Sequence, residues 1–272
     1  MIAKNKYTPI IMTLAGSDSG AGAGIQADIK TISALGGYGT NVITALTAQN
    51  TLKVDAIFPV PIEFIKKQFY SITADFNVNA IKTGMLIDAN TINCVAELIK
   101  ESNIKNYVLD PVMVATSGDK LVIDNTIDTI ITKLIPLAKV ITPNIPEAEL
   151  LLNKKINSME EMEFAAIELL KLGSNSVLLK GGHLQESKII DVFVSKELDA
   201  PIIFHKNKIK TINTHGTGCT MSAAIATLLT QKYDWHTTIN LVEEYMNKVI
   251  MGSSSLSIGK GNGPLNHFIE KN

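Results

Sequence analysis

Thr214-His215-Gly216-Thr217-Gly218-Cys219-Thr220 stands directly before an apolar run, MSAAIATLL, and carries the sharpest chemical signal in the chain. Two glycines allow the backbone to turn its N–H groups inward, and the helix predicted to follow adds the positive end of its dipole. Such a nest suits the equatorial oxygens of a phosphoryl group in transfer. The same residues also describe a glycine turn that merely opens a helix. Cys219 shifts the balance, because a thiol in the first turn of a helix is expected to have a lowered pKa. Its thiolate could then take a proton from a substrate hydroxyl.

A second cluster runs from Gly16 through Ser17, Asp18, Ser19 and Gly20 to Gly24, Gln26 and Asp28. Glycine at this density lets the chain approach a ligand closely. The run lacks the GK[ST] ending of a P-loop, and no convincing ribose-binding acid follows the next strand, which argues against a dinucleotide fold. In Thr142-Pro143-Asn144-Ile145-Pro146-Glu147 an amide and a carboxylate three residues apart can hold the water shell of Mg²⁺. They can equally cap a helix. Lys180, before Gly181-Gly182-His183, leaves a strand end where it can meet a phosphate as a point charge; the alternative is a surface lysine beside a hairpin turn. Asp110, in Asp110-Pro111-Val112-Met113, can orient metal-bound water or the transferring phosphate. The polar stretch Ala115–Asp119 behind it has the composition of a lid. Gln49 offers a donor and an acceptor, the kit for reading an aminopyrimidine edge, or is an ordinary loop residue. Met85 offers an apolar wall, although a lone methionine is more often core. His205, His236 and His267 show no metal-ligand spacing and are expected at the surface or at helix ends. Cys94, within INCVAELI, is expected in packing, and VEEYMNKVIMG in a packed or subunit-facing helix.

Most of these residues follow short β-branched runs, so the elements around them decide whether they meet. Strands are predicted over 10–15, 39–47, 79–83, 106–110, 138–142 and 176–180, with a β-rich, antiparallel stretch over 189–212. Helices are predicted over 22–36, 61–76, 88–102, 125–134, 146–152, 158–172, 217–231 and 236–253. That alternation implies right-handed βαβ units, a mostly parallel sheet and helices on both faces. In such sheets ligands bind beyond the carboxyl ends of the strands, where these loops fall. The chain has 272 residues, 46% of them hydrophobic, and no linker-like stretch, which points to one domain over 1–272. Its formal net charge of −1 supplies no bulk field for nucleic acid or an acidic membrane. No apolar stretch approaches a membrane span, the N-terminus lacks a signal-peptide pattern, and two distant cysteines form no disulfide framework. A reducing cytoplasm is the expected setting.

The segments LAGSDSGAGAGIQADIKT, VITALTAQNT, IKTGML, VLDPVMVATSGD, TPNIPEAE, LLKGGH, NTHGTGCT and IGKGNGPLNHF follow one another in that order. Together they resemble the hydroxymethylpyrimidine/phosphomethylpyrimidine kinase family over nearly the whole chain. The resemblance implies a ribokinase-like three-layer α/β/α sandwich, a homodimer, and ATP with Mg²⁺. It implies two successive transfers, first to the hydroxymethyl oxygen and then to the resulting monophosphate. By the same resemblance Gly16 and Gln49 contact the pyrimidine, Met85 and Val112 line its pocket, and Asp28 lies close by. Gly216, Thr217 and Gly218 form the anion hole, and Cys219 takes the place of the catalytic aspartate of sugar-kinase relatives. Asn144, Glu147, Lys180 and Thr214 serve ATP and its metal, with Asp110 positioning the metal or the γ-phosphate. The nearest alternative is pyridoxal kinase, some members of which share the GxGC loop but place a second cysteine in the lid. Here that position is Ala115, and Gln49 matches the pyrimidine kinases. A catalytically silent pyrimidine-binding protein on the same fold is a reading of another class. The joint presence of Asp110, Glu147, Lys180 and Cys219 argues against it. A transferase using Cys219 as a covalent nucleophile lacks a convincing triad partner.

Overall fold

Apolar residues on consecutive positions of the short strands point to opposite faces of the sheet and must be buried on both. Val177 and Leu179 accordingly join one core, while Leu178 joins the other. The computed structural model describes residues 8–113, 126–182 and 188–268. The expected lid over Ala115–Asp119 and His183 lie outside these residues.

The strands are β1 (Ile10–Asp18), β2 (Tyr38–Gln49), β3 (Val54–Pro59), β4 (Ala80–Thr83), β5 (Tyr107–Leu109), β6 (Val140–Ile141), β7 (Ser176–Lys180), β8 (Lys188–Ser195) and β9 (Ile202–Asn207). They form one nine-stranded sheet in the order β3-β2-β1-β4-β5-β6-β7-β8-β9. Pairing is parallel from β2 through β7 and antiparallel at β3, β8 and β9. The helices are α1 (Gly24–Ala34), α2 (Ile62–Thr73), α3 (Ala89–Ser102), α4 (Thr126–Thr129), α5 (Ile145–Leu152), α6 (Met159–Lys171), α7 (Thr217–Leu228) and α8 (Trp235–Ser253). One core lies between the sheet and a layer that includes α2, α3, α5 and α6, with Phe69, Leu98, Leu151 and Leu169 among its residues. The opposite core takes Ile32 from α1, Ile225 from α7, and Val242 and Met246 from α8. This is the expected three-layer α/β/α sandwich with a mostly parallel sheet.

Two features differ from the sequence expectation. The edge strand β3 was not anticipated: none of its residues is buried, so it carries no inward-facing apolar alternation. Among the described residues, the helix expected over 125–134 is α-helical only over Thr126–Thr129, continuing as a π-helical stretch, Ile130–Leu134, and a 3₁₀ turn, Ile135–Leu137. Pro136 lacks the N–H that a regular helix would need there. The antiparallel β8 and β9 and the packed α8 agree with expectation, and Cys94 is buried in the core.

The topology fixes where a ligand can bind. From β1 the chain runs outward to β2 and β3, then returns to place β4 on the other side of β1. The carboxyl ends of β1 and β4 therefore flank a crevice at the point where strand order reverses. Gly16 and Gly84 stand at this crevice.

Candidate active site

The β1 end of the crevice is built from glycine and one carboxylate. A side chain at Gly16 would collide with Met85 Cε, and Gly24 has φ +58° with no room between itself and the Gly16 carbonyl. The loop between them wraps around Asp18. Its Oδ1 accepts from Gly20 N at 2.8 Å, and its Oδ2 from Gly22 N at 3.0 Å and Ala23 N at 2.8 Å. His215 Nε2 lies 2.9 Å from the same Oδ2. Burial acts to raise the Asp18 pKa, but the His215 ring and the loop N–H groups outweigh it and hold the carboxyl below its ordinary value.

The α7 end of the crevice carries the glycine nest. Gly216 has φ +85° and packs so closely on the Gly22 carbonyl that no side chain fits. A Cβ on Gly218 would lie 3.3 Å from Lys180 Nζ and 3.5 Å from Asp110 Oδ2. Asp110 gathers three donors: Thr142 Oγ1 at 3.0 Å, Lys180 Nζ at 3.2 Å and Ser222 Oγ at 3.2 Å. Burial works against its charge, yet Lys180 and Lys82 hold its pKa below the usual carboxylate range. Asn144 and Glu147 form a reciprocal capping box at the start of α5, with bonds of 2.9 and 2.8 Å. Glu147 is pushed up to about 7, chiefly by burial, with Asp110 adding to the rise and Lys180 opposing it.

Gly16, Gln49, Met85, Val112, Asp110, Asn144, Glu147, Lys180, Gly216, Gly218 and Cys219 all line this cleft. A second cavity adjoins it and shares Asn144, Glu147, Lys180 and Gly218. Thr214 and Thr217 open onto that second cavity, whose walls include Leu150, Ile189, Ile209, Met221, Met246 and Ile250. An apolar slot that ends in a lysine and an N–H nest matches a flat base joined to a polyphosphate. The two cavities thus meet at the cation, the acid and the nest.

Three expectations need correction. Asp28 does not reach the cleft: it is fully buried beneath it, where Lys82 Nζ binds both carboxylate oxygens at 2.9 Å and Thr13 Oγ1 donates at 2.5 Å. Cys219 sits at the expected helix end, but its thiol is not acidified. Burial pushes it up to about 12, and neither Lys82 nor the Gly24 N–H offsets that cost. Desolvation here exceeds the helix-end effect on which the sequence argument relied. His267 is 2% exposed, bonded to Thr220 Oγ1 at 2.9 Å, and lowered to about 4 by burial. His205 and His236 are exposed, as expected.

The sequence reading also missed Asp18, His215 and the apolar wall of the second cavity. Asp18 stood inside a motif already singled out, but only its pairing with a residue 197 positions away reveals its place.

Crevice, nest and adjoining apolar slot define a small-molecule kinase of the ribokinase-like α/β class. The phosphomethylpyrimidine kinase family profile matches residues 18–266. A hydroxymethylpyrimidine/phosphomethylpyrimidine kinase from Salmonella typhimurium is 40% identical over 258 residues, covering 94% of this chain and 96% of its own. The crystal structure of a phosphomethylpyrimidine kinase from Clostridium difficile superposes with a TM-score of 0.79 at 40% identity, covering 89% of this chain and all of that one. An ADP complex of Bacillus subtilis pyridoxal kinase gives a TM-score of 0.86 at 33% identity, covering 96% of this chain and 98% of that one. The chain belongs to the phosphomethylpyrimidine kinase family.

Proposed function

We propose that this protein transfers the γ-phosphoryl group of ATP to the hydroxymethyl oxygen of 4-amino-5-hydroxymethyl-2-methylpyrimidine, and then phosphorylates the monophosphate to the diphosphate for thiamine biosynthesis. The carrying observation is the meeting of two cavities at Lys180, Glu147 and Gly218. The smaller presents Gln49 and Met85 to a heteroaromatic acceptor, and the larger takes the nucleotide. In each transfer an acceptor oxygen bonds to the γ-phosphorus while the bond to the β–γ bridging oxygen breaks and ADP leaves; in the first, the hydroxymethyl O–H also breaks and its proton passes to a phosphate oxygen and on to solvent. A loose transition state needs little activation of the acceptor, so positioning and charge compensation carry most of the work. Lys180 and the N–H groups from Gly216 to Gly218 would receive the equatorial oxygens. A neutral Cys219 thiol would hydrogen-bond the acceptor oxygen rather than ionise.

The donor set fits Mg²⁺ held largely through water. Asp110 and Glu147 offer carboxylates beside the nest, whereas no group of three or more metal-ligating side chains occurs among the described residues. The ion would neutralise charge on the nucleotide phosphates. All described strands share one sheet, which supports reading 1–272 as a single catalytic domain. Exposed Leu46, Leu52 and Phe58 around the β2–β3 edge support a homodimer. A cytoplasmic enzyme remains our reading; no described helix is long and apolar enough to cross a membrane.

Turnover of the pyrimidine, its monophosphate and pyridoxal with ATP and Mg²⁺, with products resolved by mass, tests the assignment. Successive mono- and diphosphate from the pyrimidine are expected. Phosphorylation of pyridoxal alone would favour the second reading, which the likeness to the Bacillus subtilis pyridoxal kinase keeps in view. No product from any acceptor would favour a silent binder.

A further inference from the structure

Asp18 and His215 are 3% and 7% exposed, line the acceptor cleft, and have no part in the transfer described above. Three loop N–H groups already satisfy the Asp18 carboxylate within its own segment. The fourth donor arrives from the other end of the chain, from the residue that immediately precedes Gly216. The same ring nitrogen lies 3.3 Å from Gln49 Nε2, a packing contact rather than a second hydrogen bond, because its proton is directed at Asp18. Gly22 packs on the His215 ring so tightly that a Cβ would strike its Cδ2, and Gly216 packs on the Gly22 carbonyl. One imidazole therefore touches both the glycine-rich loop and the amide that faces the acceptor, and its own backbone leads directly into the nest at Gly216. A carboxylate needed only to shape its own loop would require no such partner.

We propose that Asp18 and His215 are positioning residues that hold the Gln49 amide in register with the Gly216–Gly218 nest, so that a heteroaromatic acceptor read by Gln49 presents its hydroxymethyl oxygen to the transferring phosphate. This inference rests on the acceptor reading given above. Because the pair acts on the acceptor side, its loss weakens acceptor binding and leaves the nucleotide cavity intact.

Calorimetric titration of the full chain with the pyrimidine and, separately, with a non-hydrolysable ATP analogue tests it. His215→Leu removes the donor to a buried carboxylate and should raise the acceptor Kd by roughly 10–100-fold, with the nucleotide Kd changed less than about two-fold. His215→Gln places an amide N–H where the ring Nε2 stands and should restore most of the acceptor affinity. Gln49→Met combined with His215→Leu should cost little more than the worse single change, because both act through one chain of contacts. Equal losses of both ligands, failure of His215→Gln to restore binding in a folded protein, or full additivity would overturn the proposal. Should His215→Leu not fold, the His215→Gln comparison and its thermal unfolding still decide. A wild type that binds pyridoxal and not the pyrimidine overturns only the acceptor assignment, and the same variants are then compared with pyridoxal. A wild type that binds neither overturns both.

Discussion

Lys180 Nζ lies 3.2 Å from Asp110 Oδ1, joining the carboxyl ends of β7 and β5. The Asp110 side chain is 1% exposed and that of Lys180 13%, so the pair sits at the base of the cleft with one cationic edge open to it. Thr142 and Ser222 complete the acid's hydrogen bonds. A charge this deeply placed survives because it is paired and solvated by the protein. The arrangement also leaves the lysine able to turn part of its donor capacity toward an incoming phosphate.

Lys180→Met should therefore lower kcat/KM for ATP by roughly 100-fold or more, the scale seen when one preorganised donor to a developing charge is lost. It should also lower thermal stability, since Asp110 loses its nearest cation. Steady-state kinetics with unfolding scans check both. Near-normal turnover would return Lys180 to a purely structural partner of Asp110.

The fold was legible because the apolar runs are short, separated by helical periods, and buried on both faces. β3 was not, since an exposed edge strand leaves no burial pattern to read. Within the site, residues at or near the carboxyl end of a strand could be placed together by topology alone: Gly16, Asp110 and Lys180 share a cleft because parallel strands end on one side. Burial was not legible. Asp28 follows Gly24 by four positions in the same motif, yet it turns inward to Lys82. Cys219 occupies the predicted helix end, but the protein packed around it reverses the expected shift. Pairing across the chain was equally hidden, as Asp18 and His215 illustrate.

The Asp28–Lys82 pair is fully buried on both sides. Lys82 keeps its proton despite burial because Asp28 faces it, the coulombic attraction outweighing desolvation. Lys82→Met leaves Asp28 uncompensated and should destabilise the protein by about 3–5 kcal/mol. Lys82→Met with Asp28→Leu removes both charges and should cost clearly less than the single change. Denaturant unfolding of the two variants separates these outcomes. Equal losses would mean that shape, not charge, dominates at this position.

Glu147 titrates near 7 in the folded, ligand-free protein, above an ordinary value of 4.5. An acid raised on folding holds its proton longer in the native state. Its ionisation therefore costs stability progressively as pH rises from about 4.5 to 7, and no further above that. A magnesium–nucleotide complex that needs the carboxylate would expel this proton. Affinity for Mg²⁺–ATP should accordingly weaken as pH falls from 7.5 to 6, with close to one proton released per binding event at the lower end. Calorimetry in buffers of different ionisation enthalpy measures that release. Glu147→Gln should abolish the proton release and most of the pH dependence, and persistence of both would exclude Glu147 as their source.

Cys219 poses the sharpest chemical question, because its helix-end position suggests a base while its surroundings raise the pKa of its thiol. With the thiol pushed up to about 12, the resting site holds an uncharged sulfhydryl at neutral pH. Iodoacetamide at pH 7.5 should modify Cys219 in the ligand-free protein at least ~100-fold more slowly than a free cysteine of ordinary pKa. Peptide mapping by mass spectrometry distinguishes it from Cys94. Cys219→Ser keeps a hydrogen-bonding group that does not ionise in this range, and should retain at least roughly a tenth of kcat in the first transfer, because a loose transition state asks little of a base. Cys219→Ala removes the contact and should impair that transfer more than it weakens ATP binding. The second transfer, whose acceptor is already an anion, should be less sensitive to either change. Rapid alkylation at neutral pH, together with a loss of about 1,000-fold in Cys219→Ser, would instead require a thiolate that acts as general base.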